Sequence, residues 1–128
     1  DPAAHVVLPE LVAKEPLALV VADGDPAWAD ALRWVHTALL AAEAQVLDQA
    51  RAAAADAADL NGALAATDAA VAVGLGLVPG WARRAVAAAG HYGELFARHL
   101  GAGTPMALER DLNALWRDGG LHYPLPPR

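Results

Sequence analysis

HVVLPELVAKEPLALVVA, residues 5–22, is the stretch on which the fold class turns. It holds two short apolar runs, His5–Leu8 and Leu17–Ala22, separated by eight residues that begin at Pro9 and end at Pro16. Runs this short and this apolar suit strands buried on both faces of a sheet. Two strands do not make a stable sheet, so these two require partners from outside the runs themselves. Lys14 and Glu15 fall between them. If the runs are strands, that pair sits at the end of the sheet, where open α/β folds bind ligands, and is a candidate for a cleft-facing site. A solvated loop is the competing reading.

Working outward, the rest of the chain reads as helix. Asp25 is a good N-cap with Pro26 behind it, and Trp28, Leu32, Val35, Leu39 and Ala42 repeat at helical spacing, predicting a helix over 26–45. Alanine makes up about a quarter of the chain and gives 47–73 strong helix propensity but no directional stripe; the region reads as helix broken near Asn61 and Gly62. Thr67 and Asp68 offer a second cap within it. A third helix is expected over 80–100, bent at Gly90 and Gly93 because its apolar spacing continues across both glycines. A fourth is expected over 105–118, capped by Thr104, with Leu108, Leu112, Leu115 and Trp116 on its buried face. The Gly119-Gly120 turn then sends 119–128 back as a strap. The expected architecture is therefore α/β, mostly helical, with two short strands and about four helices in one domain, 1–128.

Alanine packs thinly, so Trp28, Trp34, Trp81 and Trp116, with Tyr92 and Tyr123, are expected to supply much of the core volume. Trp116, at the fold-back point, is expected to be the residue most costly to truncate.

Composition excludes several chemistries. A net charge of −6, with eight scattered arginines and one lysine, leaves no basic face for nucleic acid. There is no cysteine and no serine, which removes thiolate and serine nucleophiles. Of the three threonines, Thr67 and Thr104 read as caps. His91, Glu94 and His99 are too spread along one helix to close a tetrahedral metal site, so no metal and no cofactor are expected. The carboxylate pairs Asp23/Asp25 and Glu109/Asp111 fit turns and solvated surfaces better than acid–base catalysis. GLGLVPG lacks the lysine and hydroxyl of a phosphate loop. No window is apolar and long enough to span a bilayer, and DPAAHVVLPE does not have the pattern of a signal peptide.

Three segments, in order, carry a resemblance. Leu8–Glu43 (LPELVAKEPLALVVADGDPAWADALRWVHTALLAAE), Leu75–Gly101 (LGLVPGWARRAVAAAGHYGELFARHLG) and Leu112–Arg128 (LNALWRDGGLHYPLPPR) resemble motifs of the general amino-acid-binding proteins of ABC importers, the periplasmic solute-binding proteins. Only Ala44–Gly74 aligns poorly. Ala13, Ala18, Leu19, Ala22, His91 and Asp111 depart from the family pattern, which has serine, glycine, proline, arginine, asparagine and glycine there.

The resemblance implies a two-lobed (type II) periplasmic binding fold in which this chain is the returning, C-terminal part of lobe one. Members are roughly two to three times this long, as two ordinary domains require. They clamp an amino acid between the lobes, its α-carboxylate on an arginine and its α-amino group on an acidic side chain, and closure signals a membrane permease. Those clamp motifs do not occur here, so the chain is expected not to bind ligand alone and not to be an enzyme. Its implied partners are an amino acid, the permease, the N-terminal portion of such a protein and, through bare strand edges, a second copy in a homodimer. The implied compartment is the periplasm. Two other classes stay open: an enzyme on the same two-lobed fold, of the dehydratase kind, and a free-standing helical interaction module.

Overall fold

Asp25 starts the longest helix. Its carboxylate accepts a hydrogen bond from the Trp28 amide at 2.9 Å. Pro26 fills the first helical position, where a missing N–H costs nothing, and α1 runs Pro26–Ala44. The computed structural model describes residues 4–6, 8, 10, 13, 17–55 and 62–126. After α1 come α2 (Gln49–Ala54), α3 (Gly62–Leu75), α4 (Trp81–Ala89) and α5 (Tyr92–His99), then 3-10 turns at Asp111–Asn113 and Trp116–Asp118. The second half of α1, Thr37 to Ala42, is buried, because α1 lies against α3, α4 and α5 while α4 also packs on α2 and α3.

The core is built from small side chains. Ala38, Ala41 and Ala42 of α1, Ala52 of α2, Leu64, Val71 and Ala72 of α3, and Ala82 and Val86 of α4 are buried together around Trp81 and Leu39. Small side chains let helix axes approach closely, so the volume expected from four tryptophans is not needed. Trp81 alone of the four is buried; Trp34 and Tyr92 are half-buried, and Trp28, Trp116 and Tyr123 are exposed.

Helix ends are closed by side chains from other elements. Gly80 has no side chain with which to cap α4. Asp68, in the middle of α3, supplies the cap: its carboxylate accepts from the Gly80 amide at 2.8 Å and the Ala82 amide at 2.9 Å, and its carbonyl accepts from Trp81 Nε1 at 3.1 Å. Thr67 and Asp68 thus do not start a helix, contrary to the expectation from sequence. Arginines do the converse at C-termini, where carbonyls lack partners: Arg83 donates to Ala52 O at the end of α2, Arg98 to Ala89 O at the end of α4, and Arg117 to Ala44 O at the end of α1.

Three expectations are corrected. Among the described residues no strand forms: residues 17–22 have no regular structure and are mostly exposed, and the described part of 5–8 is equally without a ladder. A strand needs a neighbour to bond, and the helices of this chain do not offer one. The region 47–73, expected as helix broken near Asn61 and Gly62, holds two helices: α2 ends at Ala54 and α3 starts at Gly62. The bent helix over 80–100 is also two, because Gly90 lies at φ 82° and His91 is extended. The stripe crosses the break because both pieces face one core.

The helix expected over 105–118 is absent. The Thr104 hydroxyl turns back to donate to Gly101 O at 2.8 Å and accepts from the Met106 amide at 3.2 Å, a local turn that competes with helix. Ala107 and Asp111 then adopt φ of 46° and 40°. The tail does double back: Gly119 takes φ 88°, a Cβ on Gly120 would fall inside the Ala114 carbonyl, and His122 pairs with Leu115 in a parallel bridge.

That turn buries Leu115 (1% exposed) and leaves Trp116 at 59%, against Tyr123. Trp116 is therefore not the critical anchor. Leu115→Ala should cost about 2 to 4 kcal/mol, and Trp116→Ala about 1 kcal/mol or less. Urea denaturation of the two variants checks the order; a larger loss for Trp116→Ala would contradict this packing.

Candidate functional site

Lys14 and Glu15, the cleft-facing candidates, lie outside the described residues. Among the described residues, a shallow open depression is lined by Val21, Asp23, Asp25 and Pro26. Its carboxylates serve the local backbone: Asp23 accepts from the Gly24 amide at 2.9 Å, and Asp25 caps α1. Glu109 and Asp111 are exposed on the loop after α5. Among the described residues, no three histidine, aspartate or glutamate side chains come together as a metal-binding group.

His91 and Glu94 do meet, in a capping role. The Glu94 amide donates to His91 Nδ1 at 3.3 Å while Glu94 Oε2 accepts from the His91 amide at 2.8 Å. This reciprocal box closes the N-terminus of α5, with imidazole in the place the resembled family gives to asparagine. Glu94 reaches further: both its oxygens accept from the Gln49 amide at the start of α2, at 3.2 and 3.0 Å. Gln49 Nε2 in turn donates to Ala87 O and Ala88 O at the end of α4.

The densest polar constellation lies between α1, α5 and the C-terminal loop. Arg110 Nη2 pairs with Glu43 Oε1 at 2.9 Å. The guanidinium also donates to Asn113 O and stands 5.4 Å from the ring centres of both Tyr92 and Phe96. Gly93 makes room, since a Cβ there would lie 2.6 Å from Arg110 Nη1. On the other side of Tyr92 are His122 at 4.5 Å and His36 at 5.7 Å, ring centre to ring centre. Burial pushes the His36 pKa down. Burial also lowers that of His122, assisted by His36 and Arg110 and opposed by Glu43. Burial raises the Tyr92 phenol, with Arg110 opposing and Glu43 adding to it. Rings and ion pair pack together, with Glu43 Oε2 buried and without a hydrogen-bond partner among the described residues, an arrangement that holds a loop and a tail against two helices. Sequence reading singles out Tyr92 but misses His36, Glu43, Arg110 and His122, whose partners are distant along the chain.

No family model matches the chain. The general L-amino acid-binding periplasmic protein of Rhizobium johnstonii is 38% identical over 100% of this chain and 39% of its own length. The glutamate/glutamine/aspartate/asparagine-binding protein of Rhodobacter capsulatus is 40% identical over 96% of this chain and 37% of its own. Among solved structures, an ABC transporter/periplasmic binding protein from Brucella ovis with glutathione bound superposes with a TM-score of 0.82 at 39% identity, over 99% of this chain and 41% of that one. The chain is homologous to part of the amino-acid-binding periplasmic proteins of ABC transporters. It spans about two fifths of the length of these relatives. The binding-protein likeness covers the polar constellation as well as the helices, since nearly the whole chain superposes.

Glu43 is 13% exposed and its ion pair is largely desolvated. Removing one partner leaves the other charged and half-buried, so Arg110→Ala should cost about 2 to 3 kcal/mol. Arg33→Ala, which breaks an exposed pair with Asp30, should cost about 0.5 kcal/mol or less. Equal midpoints for the two variants in chemical denaturation would refute the distinction.

Proposed function

We propose that this chain forms the returning, C-terminal part of lobe one in the substrate-binding component of an amino-acid ABC importer. The observation that carries the reading is the match along the whole chain: 38% identity to an amino-acid-binding relative, and a TM-score of 0.82 to a binding protein at similar identity. The role is binding, not catalysis, and the compartment is the periplasm, as for the relatives. No described helix is long and apolar enough to cross a membrane. The two relatives' names specify amino acids and the solved neighbour holds glutathione. These ligands share a free α-amino and α-carboxylate group, which we take as the substrate class. The clamp for that group belongs to the remainder of the two-lobed protein; this chain supplies the scaffold that carries it and, with the other lobe, the surface read by the permease. Lys14 and Glu15 are its cleft-proximal residues in this reading.

A chimera tests this. The segment of the Rhizobium johnstonii protein that aligns with this chain is replaced by it, and L-amino-acid binding is measured by calorimetry. Binding is expected to persist; a folded chimera without binding would overturn the reading. The chain by itself should give no saturable thermal shift with any of the common amino acids, whereas a true binder at a hundredfold excess over Kd gains about 2.7 kcal/mol.

The exposed 17–22 segment is completed in this reading by strands of the N-terminal portion. Leu17 and Val20 are 94% and 89% exposed here, and apolar surface of that kind drives association. Studied by itself, the chain is therefore expected to form a two-fold homodimer. Light scattering giving a concentration-independent mass near 13.2 kDa would contradict that.

A further inference from the structure

The C-terminal tail is held to the body of the protein chiefly at His122. Its amide donates to Ala114 O at 3.1 Å and its carbonyl accepts from the Trp116 amide at 2.9 Å. Its ring sits 4.5 Å from Tyr92 of α5 and 6.0 Å from His36 of α1. The neighbouring side chains add little: Leu121 is 69% exposed, and Tyr123 is 55% exposed and packs on exposed Trp116. Three rings from three elements thus make the seam, and two of the three are imidazoles.

The surroundings of that seam hold one ion pair and two imidazoles. From α1 it is faced by His36 and Glu43, from α5 by Tyr92, from the loop by Arg110 and from the tail by His122. Glu43 is the acidic group acting on His122; its Oε1 is engaged by Arg110 at 2.9 Å, while its buried Oε2 has no hydrogen-bond partner among the described residues. The charges of Glu43 and Arg110 offset one another, so a proton on either imidazole gives the cluster a net positive charge. A second proton places two like charges on rings 6.0 Å apart, centre to centre.

We propose that the His36–Tyr92–His122 triad is a proton-sensitive latch on the C-terminal tail, closed while both imidazoles are neutral and loosened when mild acid charges them. The latch is a property of this chain's own fold and does not rest on the transport reading. Burial already disfavours the charged form of both rings. The docked state therefore binds fewer protons than the undocked one. Docking strength is complete above the ordinary imidazole pKa of about 6.5 and declines as pH falls below it. The arginines that cap helix ends and the apolar core side chains do not titrate in this range.

Amide hydrogen exchange on the full chain tests this. The Leu121 and His122 amides, bonded to Leu112 O and Ala114 O, report docking, with α1 core amides as the internal reference. Between about pH 7.5 and about pH 5.5, after correction for intrinsic exchange, protection of the two tail amides should fall several-fold relative to α1. In the His36→Gln/His122→Gln variant that pH response should vanish. Tail protection that falls no more than that of α1, or a glutamine variant that keeps the wild-type response, would overturn the latch. If the variant does not fold, the NMR titration of the two imidazoles in the wild type decides: midpoints below about 6.5 sustain the proposal, and midpoints at or above it overturn it.

Discussion

The Glu94 carboxylate is the constraint on which the helical arrangement rests. With His91 it closes α5, through the Gln49 amide it closes α2, and the Gln49 side chain then closes α4. Three helix termini meet at one acidic group. Helix ends are the costly part of a helical fold, since their amides and carbonyls have no partner within the helix. α2 has six residues and α5 has eight, far too short to persist by propensity. Asp48 caps α2 locally, accepting from the Arg51 amide at 2.7 Å, and Glu94 and Gln49 add ties from these short helices to other elements.

The same economy runs through the rest of the chain. Asp68 replaces the cap that Gly80 lacks, and Arg83, Arg98 and Arg117 cover the carbonyls of α2, α4 and α1. Most charged side chains inside the fold are thereby committed to backbone, while the core is alanine, valine and leucine. Such a body is a scaffold. Its polar groups hold helices and a tail in place.

What is legible in the sequence is local. Asp25-Pro26 announces α1, and Gly119-Gly120 announces the fold-back, because a cap and a pair of glycines act over a few residues. The break at Gly90 is hidden because α4 and α5 present their apolar residues to the same core, so the periodicity runs across it. Thr104 and Pro105 look like a helix start, yet the threonine hydroxyl closes its own turn and no helix follows. Asp111, where the resembled family has glycine, takes a left-handed φ of 40° that aspartate tolerates better than most residues. Asp68, Glu43, Arg110 and His122 act on partners remote in sequence, and no spacing rule points to them. The strands expected at 5–8 and 17–22 depend on neighbours that the helices here do not provide. The motifs in Leu8–Glu43, Leu75–Gly101 and Leu112–Arg128, by contrast, carry the kinship in their residues and their order along the chain.

The claim that one carboxylate ties three helix ends is open to a direct measurement: native-state hydrogen exchange of the Gln49 and His91 amides, in the wild type and in Glu94→Gln. Charge-assisted bonds of this kind are roughly twice as strong as neutral ones. The account requires both amides to lose protection together in the variant, while α3 amides keep theirs. If either amide exchanges as in the wild type, or if protection is lost uniformly across all five helices, Glu94 is not the shared tie.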